Sequence, residues 1–147
     1  MRKSTRTMRG TLGANEIRQL VVDDGIFTNG LRITYFTVWI SDFTFDSNVG
    51  ALLSLRDTVT AGVGERYPAN DPSCFAWASQ GRISQALPVI SENIGTWERI
   101  DPDHIVNEEL FIHNRVLTPL NYLIVAEPYE MTPEQGVMQL VKAANQA

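Results

Sequence analysis

Leu31-Arg32-Ile33-Thr34-Tyr35-Phe36-Thr37-Val38-Trp39-Ile40-Ser41-Asp42-Phe43-Thr44-Phe45 is the stretch on which the fold turns. Leu31, Ile33, Tyr35, Trp39, Phe43 and Phe45 stand on odd positions, and Arg32, Thr34, Asp42 and Thr44 on even ones. That alternation is the two-residue period of a strand with one buried face. In the middle, Phe36, Val38 and Ile40 make the even face apolar too. The stretch is therefore expected to be covered on both sides, by a second sheet or by a neighbouring subunit. Asp42 marks an expected bend or bulge, and Asn29-Gly30 is a turn signal ahead of the run.

Working outward, Leu20-Val21-Val22 and Gly25-Ile26-Phe27 flank Asp23-Asp24 and read as a short hairpin. Val49–Leu55, preceded by Ser47-Asn48, reads either as a short capped helix or as a buried strand. Residues 58–73 hold Gly62, Gly64, Pro68, Asn70, Asp71 and Pro72 and read as a long loop. Short apolar segments then recur at Cys74–Ala78, Ala86–Ser91, Thr96–Ile100, Glu109–His113 and Asn121–Ala126. Between them Gln80-Gly81, Glu92-Asn93, Asp101-Pro102-Asp103 and Thr118-Pro119 supply turn chemistry. Strands spaced this way predict a mainly β chain, an antiparallel β-sandwich or jelly-roll-like barrel. The end of the chain differs. Thr132-Pro133-Glu134-Gln135 is a helix start, and Val137, Leu140, Val141 and Ala144 form one apolar stripe, predicting an amphipathic helix at about 133–145.

Composition sets the broad class. The chain has 147 residues, 44% of them hydrophobic, enough for one domain with a buried core and too apolar for a disordered polymer. One cysteine excludes an intrachain disulfide framework. No apolar run reaches the roughly 18 residues of a membrane-spanning helix, and the basic first segment lacks the apolar core of a secretory signal. Charge is unevenly distributed. Arg2, Lys3, Arg6 and Arg9 lie within the first nine residues, and all 17 acidic residues come later, from Glu16 onward. Residues 1–15 therefore read as a flexible basic arm, and residues 16–147 as a single acidic β-rich domain ending in the helix. Such an arm suits contact with an acidic neighbouring subunit, and it can also make weak contact with nucleic acid phosphates.

Chemistry-bearing patterns are few. Asp101-Pro102-Asp103-His104 brings two carboxylates and an imidazole together, but it reads first as a turn, and no metal or cofactor is expected. His113 alternates with Ile112 and is expected to face solvent or a partner; both histidines read as structural. No serine stands in a G-x-S-x-G elbow, and Gly62-Val63-Gly64 lacks the remainder of any phosphate-loop motif. Cys74, within Cys74-Phe75-Ala76-Trp77, reads as a small core residue. Trp39, Trp77 and Trp97 fall on three different strand candidates and read as core.

The basic stretch Met1–Arg9, the aromatic strand Tyr35-Phe36-Thr37-Val38-Trp39 and the late strands Leu110-Phe111-Ile112 and Tyr122-Leu123-Ile124-Val125 together resemble the small β-barrel, jelly-roll-like virion proteins of non-enveloped viruses. The resemblance is architectural. It implies a structural assembly protein rather than an enzyme, a viral capsid or virion subunit located in the virion and assembled in the host cytoplasm. Its partners would be other copies of itself and other virion proteins. The residues expected to make contacts are Arg2, Lys3, Arg6 and Arg9 in the arm and Val137, Leu140 and Val141 in the helix. The alternative reading is a β-sandwich binding module for carbohydrate or peptide. A third is a small metal-dependent hydrolase built on Asp101, Asp103 and His104.

Overall fold

A computed structural model describes residues 5–21, 29–41, 48–62, 65–84, 92–106 and 109–130, together with Glu134, Val137, Met138 and Val141. It is mainly β. Its strands are β1 (Arg6–Leu12), β2 (Ile17–Val21), β3 (Asn29–Ile40), β4 (Val49–Ser54), β5 (Cys74–Ser84), β6 (Glu92–Ile100), β7 (Glu109–Asn114) and β8 (Leu120–Glu130). They form two antiparallel sheets, a three-stranded one in the order β1-β8-β3 and a five-stranded one in the order β2-β7-β4-β5-β6. No helix of the described residues is long and apolar enough to cross a membrane.

The period-two reading of residues 31–40 is correct as a strand, but its phase is corrected by a bulge. Ile33 pairs with Ala126 and Tyr35 with Val125, so Thr34 is the extra residue. An inserted residue exchanges the two faces of everything beyond it. Ile33 therefore points into the core with Phe36, Val38 and Ile40, while Tyr35 and Trp39 face outward. Within the described molecule this strand is buried on one face, not on both. Leu20 and Val21, the start of the expected hairpin, belong to β2, which pairs with β7; the rest of that hairpin, Asp42 and the strand expected at Ala86–Ser91 lie outside the described residues.

Between the sheets, Leu12, Phe36, Val38, Ile40, Leu120 and Ile124 meet Val49, Ala51, Leu53, Ala76, Leu110 and Ile112. Truncating a ring such as Phe36 in a core of this kind costs about 3–5 kcal/mol. Val49–Ser54 is strand rather than helix, buried along its whole length. Gln80-Gly81 is not a turn: Gly81 pairs with Gly95 within the β5–β6 ladder, and the Gln80 side chain accepts the Ile40 N–H at 2.9 Å. Glu92-Asn93 likewise belongs to β6. Turn-forming residue types at both places are overridden by cross-strand pairing.

The basic arm is also corrected. Residues 6–12 are not a free tail but the edge strand β1, paired along its length with β8 from Arg6–Ala126 to Leu12–Leu120. Met8 packs on the core and Leu12 is fully buried, so apolar residues interleaved with the arginines anchor the strand. Gly10 lies where a Cβ would come within 2.9 Å of the Tyr122 hydroxyl. Arg18 of β2 hydrogen-bonds that Tyr122 side chain, which raises the arginine's pKa and ties one sheet to the other. The chain turns from β1 into β2 at Gly13–Glu16, with Asn15 in the left-handed region at φ 53°, a conformation asparagine tolerates. Asn114, at the end of β7, holds this corner. Its Nδ2 donates to the carbonyls of Gly13 (2.7 Å) and Thr118 (3.0 Å), and its Oδ1 accepts the Val116 N–H.

The helix expected at about 133–145 lies mostly outside the described residues. Val137, Met138 and Val141, which are described there, are exposed.

Candidate functional site

The outer face of the three-stranded sheet is built by register. Thr7, Val125 and Tyr35 form one row across β1, β8 and β3; Arg9, Leu123 and Thr37 form the next; Thr11, Asn121 and Trp39 form the third. Met8, Tyr122, Ile124, Phe36 and Val38, which alternate with these, fill the core side. Tyr35 is 43% and Trp39 36% exposed, and Leu123 and Val125 beside them are half-buried. The two rings stand four residues apart on one strand, roughly 13 Å, and Arg9 lies about two strand spacings, roughly 10 Å, from β3. Thr11 Oγ1 donates to Asn121 Oδ1 at 2.7 Å. At the same face the Arg32 guanidinium sits 4.5 Å above the Tyr129 ring, a cation–π contact. Its Nε is buried with no hydrogen-bond partner.

The opposite face, outside the five-stranded sheet, is covered by the described loop residues 55–62 and 65–73. Tyr67 stacks edge-on against Trp97 at 5.4 Å and lies over Gly50, where any Cβ would collide with its hydroxyl. Trp77 Nε1 donates to the Pro68 carbonyl at 2.9 Å, and Arg115 Nε to the Arg66 carbonyl at 2.8 Å. Asp71 pins the loop from within. Its carboxylate accepts the Thr60 N–H (2.7 Å), the Ser73 N–H (2.9 Å) and the Ser73 hydroxyl (2.7 Å). Burial, the largest influence, pushes the Asp71 pKa up; the Ser73 hydroxyl, the two backbone donors and the Arg56 charge outweigh it and leave it below 3.8. So the loop is clamped, and the tryptophans read as core are instead distributed over outer surfaces, with Trp97 38% exposed beneath Tyr67.

The two histidines are both buried. His104 Nε2 accepts the Ile33 N–H at 2.9 Å, beside the bulge, and Nδ1 donates to the Asp101 carbonyl at 2.5 Å. Phe75 stacks on the ring at 4.6 Å. The Asp101-Pro102-Asp103 segment is a turn, with the Asp103 N–H bonded to Asp101 Oδ1. Both imidazole nitrogens thus hold backbone, and no group of three or more metal-ligating side chains exists among the described residues.

His113 does not face solvent or a partner, which corrects the expectation from its alternation with Ile112. It lies under the loop with Nε2 2.8 Å from Ser54 Oγ and 3.2 Å from the Arg56 carbonyl. Ser54 Oγ donates to that same carbonyl at 2.5 Å, so its proton points away from the histidine, which donates to it. Burial lowers the His113 pKa and favours this neutral form. Cys74 is buried as expected, and desolvation pushes its thiol up to about 12.

Of the residues singled out as contacts, Arg6 and Arg9 are exposed on β1, with Arg6 Nη2 3.5 Å from the Val21 carbonyl. Val137 and Val141 are exposed. Arg2, Lys3 and Leu140 lie outside the described residues. Sequence reasoning missed that Arg9 shares a face with Tyr35 and Trp39, a consequence of register. It also missed the clamp at Asp71, although Asp-x-Ser is a local turn signal that points to it. Comparison with known proteins gives no match: no family model matches the chain, nor does a curated protein or a solved structure.

Proposed function

We propose that this chain is a structural assembly protein, a jelly-roll subunit of the virion type that acts through its surfaces. The observation that carries the reading is the strand order. The first strand pairs with the last, the second with the second-last and the fourth with the fifth. Folding one long antiparallel hairpin over on itself would also pair the third strand with the sixth; here β3 pairs with β8 and β6 with β5, so three of the four nested pairs of a capsid or lectin jelly roll are present. Fold alone does not define function, so the surfaces must supply the rest.

Two features favour repeated subunit contact. β2 is an edge strand of the five-stranded sheet, with Ile17 51% and Val21 62% exposed. Among the described residues no strand pairs with that edge, and an edge bearing apolar side chains is a template for pairing with another chain. Val137, Met138 and Val141 add a second exposed apolar group near the other end of the chain. These, with the basic residues Arg2, Lys3, Arg6 and Arg9, are the proposed contacts to further copies and to other virion proteins.

The test is the mass of the purified chain in solution, measured by light scattering over a range of salt. A closed, many-copy assembly is expected, dissociating in Ile17→Asp or Val141→Asp while the subunit keeps its β circular dichroism. A single-chain mass at every salt concentration overturns the proposal and directs attention to the alternative, a carbohydrate- or peptide-binding sandwich.

A further inference from the structure

We infer that the outer face of the β1-β8-β3 sheet is a binding platform for single-stranded nucleic acid, on which unpaired bases stack against Tyr35 and Trp39 while Arg9 and Arg32 meet phosphates. The inference does not require self-assembly. It joins two features that are far apart in the chain, the basic N-terminal stretch and the aromatic strand. β1 carries the basic stretch into the sheet, and register sets Arg9 in the row between those of Tyr35 and Trp39.

Each element of the face has a matching part in the ligand. Nucleic acid binding without sequence preference combines cationic groups that follow the backbone with aromatic rings that take the bases. The rings here are large, exposed and separated along one strand. Arg9 is exposed on the outer row of β1, so a backbone lying along β1 and β8 passes it while its bases reach β3. Thr7, Thr11 and Asn121 supply hydroxyl and amide groups along the same track. Arg32 stands past the bulge with its guanidinium over the Tyr129 ring and its Nε buried, so its terminal nitrogens are what it offers a phosphate. Among the described residues of these outer rows Glu127 is the one carboxylate, opposite Arg32. With Arg9 and Arg32 against Glu127, the described part of the face is net positive on a chain whose net charge is −5.

That local charge decides between occupants. If a second copy covered this face through a two-fold contact, the same patch would meet itself, and the two arginines of each copy would have Glu127 as their one described carboxylate there. A polyanion has the complementary charge. Duplex is disfavoured because its bases are already stacked on one another and present no free ring face to Tyr35 or Trp39.

The experiment is anisotropy of a labelled short oligothymidylate titrated with the full chain at low salt, against a duplex of equal length. Single strand is expected to bind more tightly. Trp39→Ala and Tyr35→Ala should each weaken binding roughly tenfold, and Trp39→Phe, which keeps a ring, should stay close to wild type. Arg9→Gln should reduce the slope of log affinity against log salt by about 0.7. Gln19→Ala, on the other sheet, should change nothing. Circular dichroism and light scattering accompany each variant. Absence of binding to the oligothymidylate overturns the inference. So does equal binding by wild type and Trp39→Ala, which would assign the contact to the basic stretch alone. A Trp39→Ala variant that keeps its oligonucleotide affinity but loses assembly mass also overturns it, and makes the face a subunit contact.

Discussion

Asn114 is the place to test the corner that holds the nested strand order. The residue is 3% exposed, and its side chain makes three hydrogen bonds, two donated to Gly13 and Thr118 carbonyls and one accepted from the Val116 N–H. Its backbone N–H also donates to the Glu16 carbonyl at 2.9 Å. Together these join the β1–β2 turn to the β7–β8 turn. Asn114→Ala removes a donor from the Gly13 and Thr118 carbonyls and the acceptor of the Val116 N–H in a buried corner, although the Gly13 carbonyl keeps the Glu16 N–H at 3.2 Å. At about 1 kcal/mol net for each bond the loss is about 3 kcal/mol, and more if water does not enter. For a chain of this length that lowers Tm by roughly 6–12 °C. Urea unfolding at fixed protein concentration measures it, as a lower midpoint with an unchanged slope. Asn114→Asp sharpens the test. It keeps an oxygen for the Val116 N–H but aims a carboxylate at two carbonyl oxygens, so it should be at least as unstable near neutrality. It should recover in part below about pH 4, where the protonated carboxyl donates once more. An Asn114→Ala loss of less than about 1 kcal/mol, or an Asn114→Asp variant with wild-type stability at neutral pH, refutes the role given to this corner.

Three further outcomes are expected. Gly50→Ala should destabilise by about 1–3 kcal/mol because the new Cβ overlaps Tyr67, and Tyr67→Ala should abolish that penalty in a double-mutant cycle; additive losses contradict the loop packing described. Cys74, buried and with its thiol pushed up to about 12, should resist alkylation in the native protein at mildly alkaline pH and react once urea unfolds it; rapid native labelling contradicts its placement. The urea midpoint should fall with acidification in two windows. Burial holds the His113 pKa below its ordinary 6.5, so the unfolded chain takes up that proton first, and stability present above 6.5 is lost as pH falls through the lowered value. Asp71, held below 3.8, adds a second loss as pH falls beneath that. His113→Gln should flatten the upper step, and a wild-type midpoint that does not change between pH 7 and pH 5 contradicts the neutral, buried histidine.

Local patterns carried much of the architecture. Alternation over residues 31–40, the apolar segments near 74, 96, 109 and 121, and the Gly/Pro-rich loop at 58–73 all correspond to features of the structure. These depend on interactions between near neighbours: β-branched and aromatic side chains favour extended backbone, and proline, glycine and Asp-x-Ser favour turns. The turns expected at Gln80-Gly81 and Glu92-Asn93 failed because the same residue types also fit a ladder once a partner strand supplies its hydrogen bonds. The basic arm failed for a similar reason: charge density suggested a tail, whereas Met8 and Leu12 bind the strand to the core.

By itself, then, the sequence determined that the chain is mainly β, roughly where its strands run, and that its positive charge is concentrated ahead of its carboxylates. Tertiary structure alone decided which strands pair, because pairing joins residues as distant as Arg6 and Ala126 and no local signal encodes a partner. It decided which face each side chain takes, because one bulged residue at Thr34 reverses the alternation and turns Tyr35 and Trp39 outward. It also decided the hydrogen bonds of the two histidines, since the Ile33 N–H reaches His104 from β3 and the Ser54 hydroxyl and Arg56 carbonyl reach His113 from the end of β4. The candidate platform belongs to this second class: Arg9, Tyr35 and Trp39 share a face only because β8 lies between β1 and β3.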